Sequence, residues 1–303
     1  MKIYINKAKE NWIVDNLYND LNKFSFIQNT NIFRCKIIWI LAPWTLNFFH
    51  LILMIFKKTV VTVHHIEENK LPFKHFKLYD KFIDCYHVIS PKYEFELRKL
   101  TNKKIVLLPF WIDSSIFYFI ESKNEILTKW QLEKNKFYIG SFQRDTEGSD
   151  LQSPKYIKGP DRFLEICKYY VKIFDNVEVI LTGKRRQFII NKLQENSIPF
   201  KYFEMVNQVE LNELYNILNL YIVSSRVEGG PRAIFEAAIS KTPIISTDVG
   251  IAKFILHHDS IFDMKNFKSA KPNTEFAFNN VSKYEINKYK NEFKDLLNMV
   301  IKI

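Results

Sequence analysis

Twice along this chain, short apolar or β-branched runs alternate with segments of helical period, and that double alternation restricts the fold more than any other feature. The first series runs KIYI, a helix near Asn11 to Leu21, a strand from Cys35 to Leu41, a helix from Trp44 to Phe56, TVVTV, YHVIS, a helix from Lys92 to Leu100, and KIVLLPF. The second runs FYIGSF, a helix from Pro160 to Phe174, VEVILT, a helix from Arg185 to Asn196, FKYF, a helix from Leu211 to Leu218, LYIVSS, a helix from Pro231 to Ser240, and PIIST. Strands that read as continuous apolar runs are buried on both faces, as happens when helices cover a parallel sheet. The pattern therefore predicts two doubly wound α/β domains, and 303 residues suit two domains better than one core. The helix after Gly159-Pro160 carries Phe163, Cys167, Tyr170, Val171 and Phe174 on one stripe, as a helix lying on a sheet should. The expected division is 1–118 for the first domain, a polar linker at 119–135, a second domain at 136–275 and a helical C-terminal segment at 276–303.

Charge narrows the partners. The formal net charge is +11, and residues 1–113 hold 17 Lys and Arg against 10 Asp and Glu, so +7 of it lies there. An anionic partner is favoured: nucleic acid, an anionic membrane surface or a phosphorylated substrate, beside the plain alternative of a solvated Lys-rich surface. The lysines form no aromatic-interleaved stripe, so nucleic acid is not expected. Cys35, Cys85 and Cys167 share no metal-ligand spacing with the seven histidines, which leaves neither a disulfide framework nor a zinc site. No apolar leader follows Met1, and a cytoplasmic protein is expected. The stretch 37–56 has the length of a membrane span, but Pro43, Asn47 and His50 interrupt it, and it reads as strand, turn at Ala42-Pro43 and apolar helix.

The chemistry concentrates in SSRVEGGPRAIFEAA, residues 224–238. Its strand ends at a Glu228-Gly229-Gly230 turn in a chain with only 7 glycines, and Pro231 is expected at the first helical position. Ile234, Ala237 and Ala238 make the buried face, which leaves Arg232 and Glu236 together on the other side. They read either as a surface i,i+4 pair worth about 0.2–0.5 kcal/mol or as part of a site in which the helix start receives phosphate and carboxylates accept from sugar hydroxyls.

Glu228 and Glu236 with seven residues between, preceded by Ser224-Ser225 and followed by KTPIISTDVG, resemble the nucleotide-sugar site of retaining GT-B glycosyltransferases, glycosyltransferase family 4 (glycosyl transferases group 1). IGSFQR and IKGPDRF look like that family's basic residue and Lys-Gly pair, at Arg144 and Lys158. VEVILTGK looks like its glycine turn, at Gly183 and Lys184, and TVVTVHH like the strand whose terminal histidine lines the cleft. The resemblance is strong over 136–256, weaker over 59–118 and thin elsewhere. It implies a GT-B fold, two Rossmann-like domains facing across a cleft, with a short N-terminal acceptor domain and a last helix that crosses back to it. It departs from the family in lacking a glycine-rich turn after the first strand, where NKAKENWIVD stands. It also has Pro231 in place of the second glycine and an insertion, DTEGSDLQSPKYI, between Arg144 and Lys158.

The resemblance implies that Arg144 and Lys158 hold the donor diphosphate, with Gly229 and Gly230 backbone N–H groups helping. It gives Glu236 the ribose, Glu228 the transferred sugar and His64 a sugar or phosphate contact. Gly183, Lys184 and Met205, in the FEMV segment, complete the donor-binding expectations, while Asn6, Lys7 and Asn11 are guesses for acceptor or phosphate contacts. No Asp-x-Asp pair is present, so no metal and no cofactor beyond the nucleoside-diphosphate sugar is expected. The expected partners are that donor, a glycan or lipid-linked acceptor and an anionic membrane surface. The competing readings are a catalytically inactive GT-B sugar-nucleotide binding protein and a basic membrane or nucleic-acid binder. A nicotinamide enzyme is disfavoured by the absent G-x-G-x-x-G.

Overall fold

A computed structural model describes residues 1–9, 13–66 and 72–303. It groups the chain in two units, Met1–Phe110 with Asn287–Ile303, and Trp111–Ile286. Asn11 lies outside the described residues.

In the first unit β1 (Lys2–Ile5), β2 (Gln28–Asn29), β3 (Ile37–Ile40), β4 (Lys58–Val63), β5 (Cys85–Val88) and β6 (Lys104–Leu107) form one sheet. Its order is β2-β1-β3-β4-β5-β6 and every pairing is parallel, so each strand needs a crossover segment. Those crossovers include the helices α1 (Ile13–Leu21), α2 (Phe48–Met54), α3 (Phe76–Asp80) and α4 (Pro91–Arg98). Strand alternation divides the side chains between two faces. Ile38, Ile40, Val61, Val63, Tyr86 and Val88 pack with Leu51, Met54, Tyr79 and Leu97 of the helices. Trp39, Thr62 and His87 take the other face: Trp39 Nε1 donates to Thr62 Oγ1 at 2.9 Å, Thr62 Oγ1 lies 3.0 Å from His87 Nδ1, and His87 Nε2 lies 2.7 Å from the Leu108 carbonyl.

The second unit opens with α5 (Asn124–Lys129) and then alternates β7 (Phe137–Ser141), α6 (Pro160–Ile173), β8 (Val177–Thr182), α7 (Gln187–Glu195), β9 (Phe200–Phe203), α8 (Gln208–Ile217), β10 (Leu220–Val223), α9 (Arg232–Ile239), β11 (Ile244–Thr247), α10 (Ala252–Ile255), β12 (Ile261–Phe262) and α11 (Thr274–Val281). The sheet order β12-β11-β10-β7-β8-β9 is again wholly parallel. Ile139, Val179, Leu181, Ile222 and Ile245 face α6 and α7. Tyr138, Ile180, Tyr221, Val223 and Ile244 face the α8, α9 and α11 side. The last helix, α12 (Ile286–Lys302), lies almost wholly in the first unit, where the buried ring of Phe293 stacks on Trp39 with centroids 6.1 Å apart.

Several expectations change. The first unit ends at Phe110 rather than at 118, and the stretch expected as a linker, 119–135, belongs to the second unit. Two of its apolar residues reach the core: Ile126 and Leu132 are buried beside Leu214 and Tyr215, as is Phe117 just before the stretch. Its backbone is tied to α8, with Ile120 N–H donating to Asn216 Oδ1 at 2.7 Å. Residues 276–303 are not one helical segment, because α11 stays with the second unit and α12 with the first. The α6 stripe is buried only in its first half; Val171 and Phe174 are exposed, and Phe174 stacks on Phe137 at 4.4 Å instead of entering the core. The helix expected over 44–56 is shorter, with a 3-10 turn (Pro43–Thr45) before α2, and its outward face is apolar too. Asn6 is no ligand contact: its Oδ1 accepts from Leu41 and Ala42 N–H, and its Nδ2 donates to the Ala42 carbonyl and Thr45 Oγ1, so all its capacity clamps that turn. Among the described residues no helix is long and apolar enough to cross a membrane.

Candidate functional site

In a doubly wound sheet the carboxyl ends of the strands are where ligands bind, and in the second unit two turns meet there. After β10 the chain buries Ser224 and Ser225 completely and turns through Glu228, Gly229 and Gly230. After β7 it runs through Gln143 and Arg144 and returns by a 3-10 turn (Tyr156–Lys158) to Gly159. Gly159 has φ +64°, and a Cβ there would stand 2.0 Å from the Ser224 carbonyl oxygen, so only glycine permits this close approach. Ser224 Oγ donates to the Gly159 carbonyl at 2.9 Å. The two turns are thereby locked together, and Lys158 is delivered to Glu228.

Lys158 Nζ donates to Glu228 Oε1 at 2.5 Å, and Glu228 is only 9% exposed. The Ser225 hydroxyl has one proton for Glu228 Oε1 and Gln143 Oε1, each 2.9 Å away, while Gln143 Nε2 donates to the Lys158 carbonyl at 2.7 Å. Lys155 joins this group. Burial holds its ammonium below the ordinary lysine range, and the charges of Arg144 and Lys158 push the same way against Glu147 and Glu228. Three cations thus surround two carboxylates, an excess of positive charge suited to an anion.

Arg144 is half-buried, with Nε donating to the Thr146 carbonyl at 2.8 Å, and burial followed by the charge of Arg185 lowers its pKa. What holds this strand end is a buried pair that sequence reasoning missed. Arg186 is 1% and Asp145 2% exposed. Arg186 Nε donates to Asp145 Oδ2 at 2.5 Å, and Nη1 donates to the Ser141 and Thr182 carbonyls at 2.5 and 2.8 Å. The insertion is thus anchored at its root, with Thr146 bridged to Pro154, while its tip, Glu147–Ser153, and the side chains of Tyr156 and Ile157 are exposed.

The helix after the glycine turn departs from expectation. α9 starts at Arg232, with Pro231 as an extended N-cap rather than the first helical residue. Nor are Arg232 and Glu236 on an open face: they are 7% and 8% exposed, and Tyr215 of α8 reaches Glu236 on that side of α9. Glu236 Oε2 accepts from the Tyr215 hydroxyl at 3.0 Å, and Arg232 Nε stands 3.8 Å from Oε1. Burial raises the Glu236 pKa, while Arg232 and then Tyr215 pull it down. Arg232 Nε and Nη1 are buried with no hydrogen-bond partner. Gly250, at φ +56°, closes the site from the β11 side; a Cβ there would lie 2.7 Å from Pro231 Cδ and 3.0 Å from the Gly229 carbonyl oxygen.

Gly183, Lys184 and Met205 form a second group, at the ends of β8 and β9. Gly183 N–H donates to the Glu204 carbonyl at 3.0 Å, and Lys184 and Met205 are exposed. Phe203 points into the core against Trp130. This group connects to Arg144 through Arg185, whose carbonyl accepts from Asp145 and Thr146 N–H. His64, in the first unit, lies 2.8 Å by Nε2 from the Leu41 carbonyl and packs against Trp44 and Phe110; burial lowers its pKa to about 4, so the ring is neutral.

Of the site residues read from sequence, Arg144, Lys158, Glu228, Gly229, Gly230 and Glu236 converge on the two turns of the second unit. Lys155, Gln143 and Tyr215 were missed. Lys155 stands three residues before Lys158 and was legible by that spacing; Tyr215 looks like any core aromatic of an amphipathic helix. Among the described residues the side chains that could meet at a metal ion, His257, His258 and Asp259, are consecutive in one mostly exposed turn.

Residues 153–285, which hold Lys158 and both glutamates, match the family model of glycosyl transferases group 1. No curated protein sequence matches the chain. Among solved structures, the Anabaena protein Alr3699/HepE, in complex with UDP and glucose, aligns with TM-score 0.75 at 11% identity over 99% of this chain and 100% of that one. Sucrose-phosphate synthase from Thermosynechococcus elongatus aligns with TM-score 0.69 at 15% identity over 88% and 74%. The pneumococcal O-GlcNAc transferase GtfA, in complex with UDP and GlcNAc, aligns with TM-score 0.63 at 16% identity over 88% and 57%. Residues 153–285 are thus similar to the glycosyl transferases group 1 family, and the chain's two Rossmann-like units are those of the GT-B fold.

Proposed function

We propose that this protein is a retaining glycosyltransferase that moves a sugar from a nucleoside-diphosphate sugar to a hydroxyl of a glycan or lipid-linked acceptor. The observation that carries the reading is the group of Arg144, Lys155 and Lys158 around Glu228, whose turn leads directly into α9 and its buried Glu236. Arg144 and Lys158 bind the donor diphosphate and neutralise the charge that builds on it as the sugar–oxygen bond breaks; stabilising such charge often contributes more to catalysis than any other effect. Lys158 exchanges part of its bond to Glu228 for a phosphate oxygen, which frees that carboxylate to accept from hydroxyls of the transferred sugar. Backbone N–H groups at Gly229 and Gly230, before α9, add donors toward the phosphates. Glu236 takes the ribose hydroxyls, and Gly183, Lys184 and Met205 border the nucleotide. His64, neutral and with its Nε2–H donating to the Leu41 carbonyl, accepts one hydrogen bond at Nδ1 on the acceptor side.

The reading includes transfer without a metal, so a chelator leaves activity intact. It places the protein in the cytoplasm, with an anionic membrane surface as a second partner. The test is a thermal-shift panel of UDP, GDP, ADP, CMP and their common sugar conjugates on wild type and Glu236→Ala. A ligand at 100 times its Kd stabilises the fold by about 2.7 kcal/mol. One nucleoside diphosphate should shift wild type and not the variant; a product assay with that donor then separates the transferase from an inactive sugar-nucleotide binder. No shift with any nucleotide would overturn the donor site, and retention on duplex DNA at physiological salt would favour a nucleic-acid binder.

A further inference from the structure

From Trp44 to Phe56 the sequence WTLNFFHLILMIF contains no Asp, Glu, Lys or Arg. A helix that lies on a protein surface normally turns an apolar stripe inward and polar residues outward. α2 breaks that rule. It buries Leu51 and Met54 under the sheet and leaves Phe48, Phe49 and Ile52 exposed, with Ile55 and Phe56 exposed just beyond its end; Phe48 and Phe56 are 73% and 75% exposed. Spacings of three and four place these side chains on one outward stripe. Phe33, 64% exposed, widens the stripe, its ring meeting that of Phe49 with centroids 5.9 Å apart. Scattered exposed apolar residues are ordinary, but a contiguous group marks an interaction site.

Charge at the end of the stripe identifies the partner. The chain continues directly into Lys57-Lys58, and a recess of about 510 Å³ there is lined by Lys36, Lys57, Lys58 and Lys81 beside Ile55 and Phe56. One carboxylate, Asp84, also lines it; it accepts from Thr59 N–H at 2.8 Å and lies 3.4 Å from Lys58 Nζ. Lys57 Nζ donates to the Phe33 and Cys35 carbonyls. Four cations against one anion leave the recess positive. An apolar stripe that ends in a cationic recess fits an interface where hydrocarbon gives way to phosphate, the arrangement of helices that lie in a membrane surface.

We propose that the outward face of α2 docks on an anionic lipid surface, with Phe48, Phe49, Ile52, Ile55 and Phe56 entering the acyl boundary and Lys36, Lys57, Lys58 and Lys81 taking headgroup phosphates. This names the contact surface for the membrane partner proposed above and rests on that reading, but not on glycosyl transfer. The test is co-sedimentation of the full chain with vesicles of phosphatidylcholine alone and of phosphatidylcholine with 30% phosphatidylglycerol. A well-placed lysine near an anionic surface is worth roughly a fivefold change in partitioning. Wild type should therefore bind the anionic vesicles at least tenfold more strongly than the neutral ones and lose that preference in high salt. Phe48→Ser/Phe56→Ser should lose vesicle binding, and Lys36→Glu/Lys81→Glu should lose the anionic preference. Both variants change exposed side chains, and each must keep the wild-type unfolding temperature and nucleotide shift. A chain without nucleotide response that still binds vesicles would refute the donor site and leave the surface standing. Absence of vesicle binding, or equal binding by wild type and both variants, would overturn the proposal. So would a concentration-dependent dimer that the serine variant abolishes, since a second copy would then be the occupant.

Discussion

Asp145→Ala removes the counter-ion of a guanidinium that has no route to water. Arg186 is 1% exposed, and besides Asp145 it meets only two backbone carbonyls, of Ser141 and Thr182, which supply no charge. Breaking a buried pair from one side costs about 3–5 kcal/mol, because the remaining ion keeps its desolvation without its partner. Asp145 also accepts from Thr146 Oγ1 at 2.9 Å, so the root of the insertion loosens and Arg144 loses its fixed approach to the donor site. Asp145→Asn keeps an acceptor for Arg186 but not the charge, and should cost less than the alanine. In a double-mutant cycle, Asp145→Ala and Arg186→Ala should show coupling of about 2–3 kcal/mol, since once one ion is gone the other is better removed. The assay is denaturant unfolding of the four proteins, followed by a probe of the second unit alone because a two-unit chain need not unfold in one step. Additive effects, with coupling under about 0.5 kcal/mol, would refute the claim that this pair organises the β7 end.

Three further outcomes are expected. Arg144→Ala and Lys158→Ala should each lower kcat by roughly 10²-fold or more, the loss seen when one preorganised charge-stabilising donor is removed; near-normal turnover in a product assay would remove them from the mechanism. Because burial raises the Glu236 pKa above the ordinary carboxylate range, the carboxylate proposed to accept ribose hydroxyls is lost sooner on acidification than a free glutamate would be. Nucleotide affinity measured by calorimetry should then fall on acidification at a higher pH than a free glutamate would set, and Arg232→Met, which removes the charge that pulls this pKa down, should move that fall higher still. His87 has its pKa lowered from 6.5 to about 4 by burial, so the unfolded chain takes the proton first. Its contribution to stability is complete above pH 6.5 and is lost as pH falls to about 4, a change of roughly 3 kcal/mol. His87→Gln should flatten that part of the stability profile of the first unit.

Most of the architecture was legible because it is local. Apolar runs of strand length, helical periodicity, and turn residues at Gly159-Pro160 and Gly229-Gly230-Pro231 depend on neighbours a few positions away. The order of Arg144, Lys158, Glu228 and Glu236 along the chain followed from those same turns. Residues 119–135 show where such reading stops: their composition is that of a linker, yet Ile126 and Leu132 enter the core, and α8 presents Asn216 to the Ile120 N–H to tie the backbone down.

What the sequence by itself determined is therefore which segments become strands and helices and which turns carry charge. Tertiary structure alone decided which faces are covered. Periodicity put Arg232 and Glu236 together opposite the apolar face of α9 and left open whether they paired in solvent or lined a site, and tertiary packing buried them. It read 44–56 as an apolar helix without deciding which faces are covered, and the sheet covers only one of them. It was silent on Asp145 and Arg186, 41 residues apart, because their pairing exists only once β7 and β8 lie side by side. A face is apolar or polar in one dimension, but it is buried or exposed only by what packs against it, and that partner comes from elsewhere in the chain.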